Sequence, residues 1–137
     1  MGMVHAEITL KNAWDVSNAE KGLIQESEIR QTTVTALVDT GAGTLVVNEE
    51  LCRQLGLRIQ GERPVRLANN TSEKVKIAEP VKVCWKNRDM VCQPWVVPSS
   101  PNILLGAIPL EDMDLIVDPA KQELIGAHGD EIVGILM

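Results

Sequence analysis

The carboxylate best placed to do chemistry is Asp39, in the string Ala36-Leu37-Val38-Asp39-Thr40-Gly41-Ala42. The apolar run before it reads as a strand anchored in the core, and the end of such a strand is a rigid place from which to project a functional group. Gly41 permits a tight turn that brings its backbone N–H close to the carboxylate, and the Thr40 hydroxyl can lock that turn. A carboxylate held this way can serve as a general acid or base. Taken alone, Asp-Thr-Gly is also an ordinary strand-ending turn, because Asp and Gly favour turns in any case.

Other chemistries find less support. His5 and His128 lie far apart in the chain and neither sits in a His-Glu-x-x-His helix, so no metal site is expected. There is no Gly-x-Ser-x-Gly elbow and no glycine-rich phosphate loop. Cys52, Cys84 and Cys92 match no zinc or redox spacing and read as three reduced thiols in or near the core of a cytoplasmic protein. The acidic groups Glu111-Asp112-Asp114 and Asp130-Glu131 lack a glycine turn and read as solvated faces.

The elements that must position Asp39 are mostly strands. Ala6 to Leu10 alternates as a half-buried strand should, Thr32 to Val38 is β-branched and increasingly apolar, and Thr44 to Val47 is a short strand. Val65 to Leu67, Val75 to Ile77, Val81 to Trp85 and Met90 to Val97 continue the pattern. Ala68 to Glu73 supplies hairpin chemistry, and Asn18 to Glu28 reads as a loop or the bend of a hairpin. One helix is well marked, with Asn48 as its cap, Glu49 and Glu50 in its first turn and Gly56 just past its end. A second short helix is expected to open at Pro109 and run to Met113. Late strands are expected at Val117 and at Glu123 to Ile125, with Asp118-Pro119 as the turn between them.

The whole chain, 1–137, reads as one domain. Its 137 residues include 45% hydrophobic and 23% charged side chains, which is a globular composition. With no Phe and no Tyr, the core must be aliphatic, with Trp14, Trp85 and Trp95 as its large rings. A net charge of −6 repels phosphate backbones, and stacking platforms are scarce, so no nucleic-acid partner is expected. The apolar runs are too short for a membrane span, and the first residues do not resemble a secretory signal.

Ala36 to Ala42 resembles the catalytic motif of aspartic proteases. Two further elements strengthen the likeness. Ile103-Leu104-Leu105-Gly106 followed by Pro109 to Met113 resembles the second family element, an apolar-apolar-Gly strand end leading into a helix. Leu67 to Ile77 sits where the family places its flap hairpin. The likeness covers about Thr32 to Asp118 and is nearest to stand-alone prokaryotic members of the retropepsin-like clan. It implies a mainly β, single-lobe, closed β-barrel-like acid protease fold with one or two short helices. Two departures stand out. Gly43 and Ala107 replace the Asp and Arg that pair in viral relatives, so no charge is left unpaired, and the hairpin at Asn69-Asn70 lacks the glycines usual at a flap tip.

The chemistry this resemblance implies needs two carboxylates in one site, one ionised and one protonated. The chain has a single Asp-Thr-Gly, so the second carboxylate is expected from Asp39 of another copy across a two-fold axis. By resemblance, Asp39, Thr40 and Gly41 form the catalytic loop, and Ala42, Val46, Asn69, Asn70 and Leu104 line a groove for an extended peptide. No metal or cofactor is implied. Ile132 to Leu136 is the candidate interface strand. The alternative is a catalytically silent dimerisation or peptide-binding module of the same fold.

Overall fold

The computed structural model describes residues 3–98 and 100–136. The first strand, β1 (His5–Asn12), buries Ala6, Ile8, Leu10 and Asn12 on one face, the alternation that period-two patterning dictates. It pairs antiparallel with β2 (Gln31–Val38) on one side and with β6 (Val81–Trp85) on the other. Between β1 and β2 lies a helix, α1 (Ala13–Glu20), whose last turn runs into the Asn18 to Glu28 segment expected to be a loop or the bend of a hairpin. Its start is set by Asn12, whose side-chain oxygen accepts from the Asp15 amide at 3.1 Å while its amide nitrogen donates to the Leu55 carbonyl at 2.8 Å. A 3-10 turn at Glu26–Glu28 leads into β2. The Asp15 carboxylate takes both arms of the Arg30 guanidinium, at 2.8 and 2.9 Å, tying α1 to the start of β2.

After β2 come β3 (Val46–Val47), α2 (Glu49–Leu55), β4 (Ile59–Arg66) and β5 (Ser72–Ala78). Then follow β6, β7 (Arg88–Cys92), β8 (Trp95–Val96), β9 (Ile103–Leu105) and α3 (Ala107–Asp112). The last two strands, β10 (Leu115–Asp118) and β11 (Glu123–Gly126), form a separate hairpin. Helix α2 starts and stops as expected: the Asn48 side chain accepts from the Leu51 amide at 3.0 Å, and Gly56 takes the left-handed conformation at φ 65°. Helix α3 begins at Ala107, two residues before the expected Pro109.

Among the described residues, nine strands form one curled sheet in the order β4-β5-β8-β3-β9-β2-β1-β6-β7, giving the mainly β, half-barrel form of the expected fold, with three short α-helices. Its hollow holds an aliphatic core that includes Ile8, Leu10, Leu45, Leu105, Val81, Val83 and Met113. Trp85 joins this core, whereas Trp14 is 53% exposed on α1 and is not a core ring. Cys52 is buried, Cys84 and Cys92 are half-buried, and all three are free thiols. Burial pushes the Cys92 thiol up to about 11, so it stays protonated near neutrality. No helix among the described residues is long and apolar enough to cross a membrane.

Candidate active site

Strand β9 lies between β2 and β3, and that placement builds the site. It runs parallel to β2, with Ala36 opposite Ile103, Leu37 opposite Leu104 and Val38 opposite Leu105. On its other side Leu104 faces Val46 of β3 in an antiparallel bridge. The chain leaving β2 must therefore cross the end of β9 to reach β3, and the crossing segment is Asp39 to Leu45.

Backbone hydrogen bonds pin this crossing. The Asp39 amide donates to the Leu105 carbonyl at 3.0 Å, which continues the ladder one residue beyond the strand. The Ala42 amide donates to the Asp39 carbonyl at 3.1 Å and closes the turn. The carbonyls of Ala42 and Gly43 accept from the amides of Ala107 and Ile108 at 2.8 and 3.1 Å, so the loop also satisfies the free end of α3. Gly106 sits where nothing larger fits. A Cβ there would lie 2.3 Å from the Thr44 carbonyl oxygen and 2.5 Å from that of Ala42.

The Gly41 amide donates to Asp39 Oδ1 at 2.9 Å, the close approach expected from the motif. Thr40 is exposed, and its hydroxyl has no hydrogen-bond partner among the described residues, so the turn is held by backbone rather than by that side chain. Asp39 is half-buried and opens onto a groove of about 630 Å³. Gly41, Ala42, Gly43, Val46, Trp95, Val97 and Leu104 line the groove on the loop side. Val65, Arg66, Leu67, Ala68, Glu73 and Val75 line it from the hairpin of β4 and β5.

Of the expected site residues, Asp39, Gly41, Ala42, Val46 and Leu104 thus meet at one groove. Asn69 and Asn70 do not line it in the single chain; they form the exposed tip of the hairpin. Their work there is conformational. Asn70 sits at φ 68°, a left-handed geometry that Asn tolerates better than most residues. The Asn69 side-chain oxygen accepts from the Thr71 amide at 3.1 Å and from its hydroxyl at 2.5 Å. The tip so turns without glycine. Sequence reasoning missed Trp95, Val97 and Glu73, whose approach to Asp39 depends on which strands neighbour one another and has no local signal.

A second hollow of about 480 Å³ lies under Trp14, with Arg30 and Arg58 on its wall. Each guanidinium there is already matched by a carboxylate, Asp15 and Glu79 respectively. The side-chain bond from Arg30 holds the Asp15 carboxyl below the usual range, and the Arg58 backbone amide does most to lower that of Glu79. These are structural pairs, and the groove at Asp39 is the better candidate for chemistry.

Ile132 to Leu136 has no strand partner among the described residues. Ile132, Val133, Ile135 and Leu136 are all exposed, while the Val133 amide donates to Asp114 Oδ2 at 3.0 Å.

No curated protein matches the sequence closely enough to count as a relative. Among solved structures, the retroviral protease-like domain of Ddi1 from Leishmania major is similar, with a TM-score of 0.54 at 14% identity, covering 90% of this chain and 87% of that one. A retropepsin-like aspartic protease from Rickettsia conorii aligns with a TM-score of 0.47 at 17% identity, covering 86% and 89%. The family model described as gag-polyprotein putative aspartyl protease matches residues 26–112, which span the Asp39 loop, the β4–β5 hairpin, β9 and α3. The chain belongs to that family, the retropepsin-like aspartyl proteases.

Proposed function

We propose that the chain is an aspartic endopeptidase active as a homodimer, in which the Asp39 carboxylates of two copies share one site across a two-fold axis. One carboxylate, ionised, takes a proton from the attacking water. The other, protonated, donates to the peptide carbonyl oxygen as it becomes tetrahedral. Two carboxyls in contact hold one proton between them, which keeps both roles filled. The water attacks directly, so there is no covalent intermediate, and no metal or cofactor takes part.

The observation that carries this reading is the pinning of Asp39 at the mouth of the groove, by the Leu105 carbonyl on its backbone and the Gly41 amide on its side chain. A single chain brings one such carboxylate. The other acidic group on the groove, Glu73, stands on the β4–β5 hairpin across from Val65, without a comparable clamp. Exposed Thr40 is free to meet its counterpart at the axis, and the unpaired Ile132 to Leu136 segment offers an edge to a second copy. A peptide lies extended over Ala42, Val46 and Leu104, with the Asn69-Asn70 tip closing over it.

The test is cleavage of a complex peptide library by the wild type and by Asp39→Asn, read by mass spectrometry from acidic to neutral pH. Cuts that vanish in Asp39→Asn support the proposal. No cuts from either protein, with the dimer present, would favour a silent binding module.

A further inference from the structure

Gly43 and Trp95 meet in the lining of the groove. A Cβ added at Gly43 would lie 2.9 Å from Cη2 of Trp95 and 3.4 Å from Cζ3. Real side chains do not approach so closely, so the edge of the indole already fills the volume a residue at 43 would need. Gly43 is not among the glycines at positive φ, so close approach, and not backbone conformation, is what glycine provides there.

Trp95 is fixed from both sides. Its backbone pairs with Val46 in a parallel ladder and with Ile77 in an antiparallel one, and its amide donates to the Leu45 carbonyl at 2.9 Å. Val46 in turn faces Leu104. Residues directly opposite across a sheet share a face, so Trp95, Val46 and Leu104 form one apolar row along the groove that Asp39 opens onto.

We infer that Trp95, seated against Gly43, is the specificity-determining wall of this groove. It restricts the subsite beside Asp39 to small or β-branched aliphatic side chains and excludes aromatic ones. The inference rests on the proposed peptide-binding role of the groove and names its substrate class: extended peptides with residues such as Val or Ala flanking the scissile bond. Apolar pockets discriminate by volume, and a side chain larger than the space available loses affinity or forces the wall to move.

The experiment uses two octapeptide libraries, alike in their randomised flanks, with Val-Val or Phe-Phe fixed at the centre. Cleavage is compared for the wild type, Trp95→Val and Gly43→Ala. Equilibrium binding to the same libraries is measured on Asp39→Asn with and without Trp95→Val. The wild type is expected to favour Val-Val by about tenfold or more in kcat/KM. Trp95→Val, which keeps a β-branched residue in the strand, should erase or invert that preference in cleavage and in binding. Gly43→Ala should shift the preference through displacement of the indole, and should have no such effect when Trp95→Val is already present. Equal preferences in the wild type and Trp95→Val would overturn the inference while leaving peptide hydrolysis standing. Selective binding by Asp39→Asn without cleavage by the wild type would support the inference and overturn the hydrolytic reading. Neither cleavage nor binding of either library would overturn both.

Discussion

The Asp39 amide donates to the Leu105 carbonyl at 3.0 Å, so the functional loop is an extension of the β2–β9 ladder and not a free turn. A group on such a ladder keeps its place when the rest of a surface loop would move, and that rigidity is what acid–base chemistry between two carboxyls requires.

The same ladder makes Gly106 indispensable. Gly106→Ala places a methyl against the Thr44 and Ala42 carbonyls, both backbone atoms that cannot swing aside. We expect a loss of about 3 kcal/mol or more in a urea unfolding titration, in the range of severe packing strain. Unchanged stability would mean that the loop is held less tightly than its hydrogen bonds imply.

Acid sensitivity is predicted at the junction of α1 and β2. The side-chain bond from Arg30 lowers the Asp15 carboxyl below its ordinary value of 3.8. A depressed carboxyl contributes stability that is present above the unfolded value and is lost as pH falls through the folded one. Asp15→Asn should therefore lose stability at neutral pH, by about 2 kcal/mol once the partial exposure of Arg30 is allowed for. It should also show a shallower decline below about pH 4 than the wild type. Unfolding curves at several pH values check both, and parallel declines would refute the assignment.

The terminal hairpin depends on Arg88. This buried side chain donates from one nitrogen to the carbonyls of Met113 and Asp114, at 2.8 and 2.7 Å, and from another to that of Gly129. Its Nε has no hydrogen-bond partner among the described residues. Arg88→Met would leave three carbonyls without their donor and is expected to cost about 3 kcal/mol. Arg88→Lys should rescue little, because an ammonium cannot span the same carbonyls. Hydrogen exchange would locate the damage at β10, β11 and the segment after them; full protection there would count against this account.

Asn70 sets the hairpin tip. Asn70→Gly relieves the left-handed strain and should leave the fold intact, whereas Asn70→Val should distort the tip, since a β-branched residue disfavours φ near 68°. If the tip covers substrate, Asn70→Val raises KM with little change in thermal stability. A variant with normal KM would show that the hairpin tip does not cover the substrate.

The site was legible in the sequence where its signals are local. Asp39-Thr40-Gly41 and Leu104-Leu105-Gly106 each carry their meaning within a few residues, and the strand pattern around them follows from alternation. Helix α1 was not legible. Its one strong marker is the Asn12 cap, and the residues from Ala13 to Glu20 bury only Asp15, so they lack the apolar stripe that announces a helix. Trp95 escaped for another reason: its contact with Gly43 exists only because β8 pairs with β3, and that pairing leaves no trace in either segment. Trp14 reads as a core ring by composition alone, yet it lies on the exposed side of α1.

The most direct test of two Asp39 residues in one site is subunit mixing. Wild type and Asp39→Asn are combined at fixed total concentration, allowed to exchange, and assayed on a peptide cleaved by the wild type. If each site needs one Asp39 from each copy, activity follows the square of the wild-type fraction, so an equal mixture keeps about a quarter of full activity. Activity proportional to the wild-type fraction would contradict the shared site and place the whole reaction within one chain.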